Sequence, residues 1–127
     1  MKPAVREWVE KAEADYRVAL RESRVRVLPS PEAACFHAQQ CVEKYFKAVL
    51  VDRGQTAPRV HDLELLWRMV GPLSPILKRR VAGLASLSLG AVEYRYPGRR
   101  LTRSGARKSV ATMKVARSRA RSALGIP

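Results

Sequence analysis

The chain has 127 residues and carries 25 Lys and Arg against 11 Asp and Glu, a formal net charge of +14. That length fits one domain, residues 1–127, with room for a useful core, and no apolar run approaches the roughly 18 residues that cross a bilayer. The N-terminus opens with Lys2, Arg6, Glu7 and Glu10 rather than a secretory apolar segment, so a soluble, cytoplasmic protein is expected.

Val5, Trp8, Ala12, Tyr16, Ala19 and Ser23 recur at spacings of three and four, which predicts a first amphipathic helix ending near Val27. Pro29, Ser30 and Pro31 break the chain, with Ser30 suited to cap a second helix and Pro31 to its first position. That helix runs to about Asp52, where Gly54 is the stop signal, and Ala34, Ala38, Cys41, Val42, Tyr45 and Val49 form one broad apolar stripe. After a loop from Gln55 to Arg59, Asp62 and Glu64 place negative charge in the first turn of a short helix that buries Leu63, Leu66, Trp67 and Val70. Gly71, Pro72 and Pro75 mark a turn. Leu73, Ile76, Leu77, Val81, Leu84 and Leu87 then keep helical spacing, predicting a fourth helix that frays near Gly90. Tyr94 to Arg100 is a loop stiffened by Pro97, and a last helix starts near Thr102 or Ser104 and reaches about Leu124. No segment alternates with period two for long, so an all-α antiparallel bundle is the economical architecture.

Cys35 and Cys41 lie on one predicted helix with Cα atoms about 9 Å apart at ~1.5 Å per residue. That is too far for a disulfide, and neither has neighbours at metal-ligand spacing, so both read as small hydrophobes with no metal site. Phosphate-binding glycine loops, zinc spacings and nucleophile elbows are likewise missing, and no cofactor is expected.

From Leu65 onward the only carboxylate is Glu93, set against fourteen Lys and Arg. An excess of that size directs attention to polyanions such as RNA, nucleotides or an acidic protein, although Arg-rich solvated faces also arise in heat-adapted proteins. At 100° per residue, Arg103, Arg107, Lys114, Arg117 and Arg121 fall within an arc of about 80° on the last helix, a row able to follow a phosphate backbone or to remain a solvated face. His37, Gln40, Lys44 and Lys47 form a similar row on the second helix. It suits a phosphate or a partner's carboxylates, or else is the solvated edge of a core helix with Glu43 and Lys47 paired at i, i+4. Tyr94, Arg95 and Tyr96 combine a guanidinium with aromatic faces beside Pro97, a composition that stacks on unpaired bases, unless the tyrosines pack the bundle end. Glu93 is placed to orient one of the nearby arginines. The expected ligand site therefore comprises Arg95 and Tyr96 with His37 and Lys44.

Three segments together resemble the HEPN family of small prokaryotic helical domains. Trp8, Lys11, Ala12, Glu13 and Asp15 are similar to its opening helix, and the run from Phe36 to Ala48 (FHAQQCVEKYFKA) to its central signature. His61, Asp62 and Leu63, then Arg95, Tyr96 and Pro97, match its later landmarks. The resemblance implies an up-and-down bundle of four long helices plus a shorter one, paired as a homodimer. It also implies a frequent partnership with a minimal nucleotidyltransferase in toxin and antitoxin pairs. Trp67, Met69 and Leu101, apolar residues that a small bundle need not bury completely, fit a dimer as well.

Many HEPN proteins are metal-independent ribonucleases that use an Arg followed four to six residues later by a His. In this chain Arg53 precedes His61 by eight positions and Arg59 by two, and neither His61 nor His37 has an Arg at the family spacing. The expected function is accordingly a non-catalytic module that binds a nucleotidyltransferase partner, a nucleotide or RNA. The alternative is a ribonuclease with a displaced site drawing on Arg95, Tyr96 and either His37 or His61.

Overall fold

The computed structural model describes residues 1–127 and contains helices and connecting turns only, with no strand. The helices are α1 (Pro3–Arg24), α2 (Pro31–Asp52), α3 (Leu63–Val70), α4 (Pro75–Lys78), α5 (Leu84–Glu93) and α6 (Arg103–Ala123), with one 3-10 turn at Gly71–Leu73. Local signals set most boundaries. Ser30 accepts from the Ala33 amide at 3.2 Å and Pro31 opens α2. The Asp62 carboxylate accepts from the Glu64 and Leu65 amides at 2.9 and 3.3 Å, and the Thr102 hydroxyl accepts from the Gly105 amide at 3.0 Å, each satisfying donors that a helix start leaves open.

α2 is the axis of the bundle. More than half of its residues are buried, and α1, α6, α5 and α3 pack around it. Val42, Tyr45, Phe46, Val49 and Leu50 on α2 are fully buried against Val5 and Ala12 of α1, Leu63 and Leu66 of α3, and Met113 and Ala116 of α6 in one continuous core. Trp67, Met69 and Leu101 pack against this core, with the Trp67 indole donating to the Leu77 carbonyl at 2.7 Å. The large apolar side chains left in solvent are others, among them Leu89 and Val92 on α5.

Two helices differ from the periodicity. α1 stops at Arg24 rather than near Val27, because Val25 turns extended and Arg103 of α6 donates to the Val25 carbonyl at 2.9 Å. The single fourth helix expected from Leu73 to Gly90 is divided into α4 and α5. Between them Arg119 of α6 donates to the carbonyls of Arg79 and Arg80 at 2.9 and 3.0 Å, and the Thr112 hydroxyl to that of Ala82 at 3.2 Å. Side chains from α6 thus replace the helical donors, while Val81 and Leu84 still reach the core. Gly90 does not end α5. A β-carbon there would lie 3.3 Å from the Cys35 sulfur, so the glycine allows α5 to approach α2, and the helix continues to Glu93.

The α4–α5 break depends on Gly83, which sits at φ +90 with Thr112 Oγ1 2.5 Å from where a β-carbon would be. Gly83→Ala is expected to lower unfolding free energy by about 1–3 kcal/mol through left-handed strain and the displaced Thr112 hydroxyl. Removing the clashing side-chain atoms as well, by comparing Gly83→Ala/Thr112→Ala with Thr112→Ala alone, separates clash from strain by double-mutant comparison in urea unfolding. A loss under about 0.5 kcal/mol for the single change would count against this account of the break.

Candidate functional site

A groove of about 600 Å³ lies on the open face of α2, walled by α5, the start of α3 and Arg95. Glu43, a carboxylate buried in the α2 interior, is not itself in the lining but supports two residues that are, Gln39 and His61. Lys47, equally buried, donates to Glu43 at 2.9 Å, and the Gln39 amide donates to it at 3.1 Å. His61 Nδ1 lies 3.0 and 3.1 Å from the two oxygens of the same carboxylate. Gln39 also donates to the His61 carbonyl at 2.9 Å, so backbone and ring of His61 are both tied to α2. With Nδ1 facing a carboxylate, Nδ1 carries the hydrogen, and neutral His61 keeps Nε2 as an acceptor. The His61 side chain is 76% exposed and lines the groove, which makes it a held but accessible imidazole.

Arg95 lines the same groove, with its guanidinium carbon 6.0 Å from the centre of the Phe36 ring. Asp62 and Glu64 line it too. The groove therefore has a cation over an aromatic face and, elsewhere on its rim, two carboxylates at the start of α3.

His37 and Lys44 do not enter the groove. Both converge on buried Asp15 of α1, His37 Nδ1 at 2.8 Å and Lys44 Nζ at 2.5 Å. Phe36 links the two areas, because the His37 ring meets its edge at 5.2 Å between centroids. Arg95 and His37 thus share Phe36, while Lys44 reaches His37 only through Asp15. Tyr96 is 64% exposed and lies outside the groove lining. Tyr94 instead packs at Gly90, and among the nearby arginines it is Arg99 that Glu93 pairs with, at 3.3 Å. The Glu43 and Lys47 pair expected at a solvated edge is formed, but inside the bundle. Periodicity gave no hint that Glu43 and Gln39 hold His61, a residue about twenty positions away in sequence.

The α6 row divides. Arg117 forms a two-pronged contact to Glu13 of α1, at 2.7 and 2.8 Å, and lies 4.0 Å over the Tyr16 ring. Arg121 donates to the Tyr45 hydroxyl at 3.0 Å and approaches Glu13 at 3.6 Å, and that hydroxyl in turn donates to Glu13 at 2.5 Å. Arg103 holds the Val25 carbonyl, while Arg107 and Lys114 stand exposed. Burial pushes the Glu13 carboxyl upward, yet the hydrogen bonds from Arg117 and Tyr45 and the two arginine charges outweigh it and hold the group below its ordinary range. Burial, followed by the Glu13 bond, pushes the Tyr45 phenol well up, and burial does the same to the Cys41 thiol.

The family model described as HEPN domain matches residues 5–121. The chain belongs to the HEPN domain family. No curated protein and no solved structure matches it. In this HEPN domain the central signature of the resemblance supplies Phe36, Gln39 and Gln40 to the lining and Glu43 beneath His61, and the later landmarks supply His61, Asp62 and Arg95. Those separate stretches meet at one groove.

The Glu13 network makes a pH-dependent prediction for the HEPN fold. A carboxyl held below its ordinary range contributes stability that is present above about pH 4.5 and is lost as pH falls through its lowered value in the folded state. Arg117→Gln should therefore reduce stability at neutral pH by about 1–3 kcal/mol, a figure discounted for the partial exposure of the pair. The same variant should lose less additional stability on acidification from about pH 5 to about pH 3. Parallel acid limbs for variant and parent in thermal unfolding would mean that Arg117 is not what depresses Glu13.

Proposed function

We propose that this HEPN domain is a binding module whose groove takes a nucleotide or the end of an RNA strand, without turning it over. The observation that carries this reading is the Arg95 guanidinium set over Phe36 in the groove that also holds His61 on its buried Glu43 support. A guanidinium beside an aromatic face suits a phosphate and a stacked base. Asp62 and Glu64 on the rim are acceptors for base or ribose donors, so opposite ends of the ligand meet opposite charge. A minimal nucleotidyltransferase, the partner implied by the family resemblance, and a second copy of the chain are the proposed protein contacts. Exposed Leu89 and Val92 beside the groove support pairing of two copies.

A second reading, ribonuclease activity, is favoured by one specific feature. His61 has Nδ1 on a carboxylate and Nε2 free, the arrangement of an oriented general base, and Arg95 lines the same groove. In that reading Nε2 accepts the proton of a ribose 2′-hydroxyl as its oxygen attacks the adjacent phosphorus, and Arg95 offsets the charge that builds there. Only one imidazole lines the groove, so the leaving 5′-oxygen would have to recover its proton from that imidazolium or from water. Binding is therefore the stronger reading.

Calorimetric titration with adenosine and guanosine monophosphates, alongside RNA-cleavage assays on nuclease-free preparations, separates the two. Arg95→Ala should weaken mononucleotide binding by about 10- to 100-fold, the usual worth of a charge-assisted bond. His37→Ala, outside the groove, should change it less than about threefold. Cleavage by the parent that disappears in His61→Ala and Arg95→Ala with binding retained would make the protein an enzyme and overturn the proposal.

A further inference from the structure

α1 and α6 run antiparallel, joined near one end by Arg103 on the Val25 carbonyl and farther along by Glu13 with Arg117 and Arg121. Two adjoining grooves lie beside this seam, sharing Leu20 and Arg24. One is lined by Arg17, Arg21 and Arg24 of α1, the other by Arg24 of α1 with Arg107 and Lys114 of α6. Neither lining contains a carboxylate. All five cations are exposed, and none takes part in an ion pair. The other arginines of the α6 row have protein partners, so the free charge of that face comes from α1 as much as from α6.

We propose that these two grooves form one channel that carries the phosphodiester backbone of a single-stranded nucleic acid, separate from the nucleotide groove on α2. Three observations favour a strand over an acidic protein. The cations extend along two helices, Arg17 to Arg24 and Arg107 to Lys114 each covering about 10 Å at ~1.5 Å per residue, so the charge is a track and not a point. Four of the five are arginines, whose forks match phosphate oxygens. The remaining lining residues are mostly small or aliphatic, such as Leu20, Val110 and Ala111, and offer no aromatic or bulky anchor of the kind a protein interface centres on. Apart from the cations, the only lining side chain able to hydrogen-bond a base edge is Ser23, whose hydroxyl donates to the Leu20 carbonyl at 2.8 Å, so the channel is indifferent to sequence.

The inference shares its ligand class with the proposed function but uses other residues, and the two fail independently. Fluorescence anisotropy with labelled oligouridylate at several salt concentrations tests the channel, and calorimetry with mononucleotide on Arg95→Ala tests the groove. If five phosphates are neutralised, log affinity should fall against log salt with a slope near −3.5, about a hundredfold loss between about 50 and 200 mM. Arg21→Gln/Arg24→Gln/Lys114→Gln should flatten that slope by about 2 while helicity and mononucleotide affinity stay unchanged. The control with equal charge loss is Lys78→Gln/Arg79→Gln/Arg80→Gln, three exposed cations outside both grooves, and its slope should shift by less than about 0.5. Equal flattening in both triples would mean that overall charge, not the channel, binds the strand, and an unchanged slope in the channel triple would also overturn the proposal. So would displacement of the oligonucleotide by polyglutamate as readily as by unlabelled RNA of the same charge, which would assign the channel to an acidic protein.

Discussion

A helix packed on nearly every side cannot keep its polar residues in water, and α2 is such a helix. Its buried Gln39, Glu43 and Lys47, and the hydroxyl of buried Tyr45, each had to find a partner, because an unpaired buried polar group costs about 1–3 kcal/mol. No buried side-chain nitrogen or oxygen lacks a partner. Glu43 meets Lys47 within α2, but a carboxylate has more acceptor capacity than one ammonium and one amide use, and the remainder is taken by His61. The groove follows from this requirement. His61 is exposed by its own surroundings, and it holds a fixed orientation only because the charge beneath it is internal to the bundle.

The same constraint shapes the outer surface. Glu13 is taken by Arg117 and Tyr45, Asp15 by His37 and Lys44, and Glu43 by Lys47 and His61, while Glu22 and Glu32 accept backbone amides at Ser30 and Leu101. Half of the ten carboxylates in residues 1–64 are thereby turned to internal partners. They neutralise fewer surface cations than the formula of the chain suggests. The excess of Lys and Arg beyond Leu65 is thus joined by uncompensated arginines of α1, and positive potential concentrates where α1 and α6 lie side by side.

What the sequence disclosed depended on how far each signal reached along the chain. Ser30, Pro31, Asp62 and Thr102 act within three or four residues, and the starts of α2, α3 and α6 were readable from them. The break between α4 and α5 was hidden, because the donors that replace its helical bonds are Thr112 and Arg119, thirty to forty residues away. Helical projection puts Arg107, Lys114, Arg117 and Arg121 on one arc of α6. An arc of about 80° still has two edges, and only the position of α1 decides that Arg117 and Arg121 face Glu13 while Lys114 faces solvent. Of the expected ligand site, Arg95 lies in the groove, and His37 and Lys44 stand on the far side of Phe36. Phe36 itself was read as part of a family signature and not as a stacking surface.

The two surfaces proposed to bind anions differ in kind, which bears on how a HEPN domain without the usual Arg-to-His spacing would handle nucleic acid. The groove holds a single cation, a supported imidazole and two carboxylates, so its field reverses over the length of one small ligand, and it favours something with an anionic end and a hydrogen-donating end. The channel is of one sign throughout. A uniform field gives affinity and no register, since phosphate contacts alone do not distinguish one position on a strand from the next. Under the proposed reading, register comes from the groove, where a ligand must satisfy Arg95 and the α3 carboxylates at once, and residence comes from the channel. His61 belongs to the first of these surfaces, because an imidazole fixed through one nitrogen contributes direction, which a run of flexible arginines on helix surfaces does not.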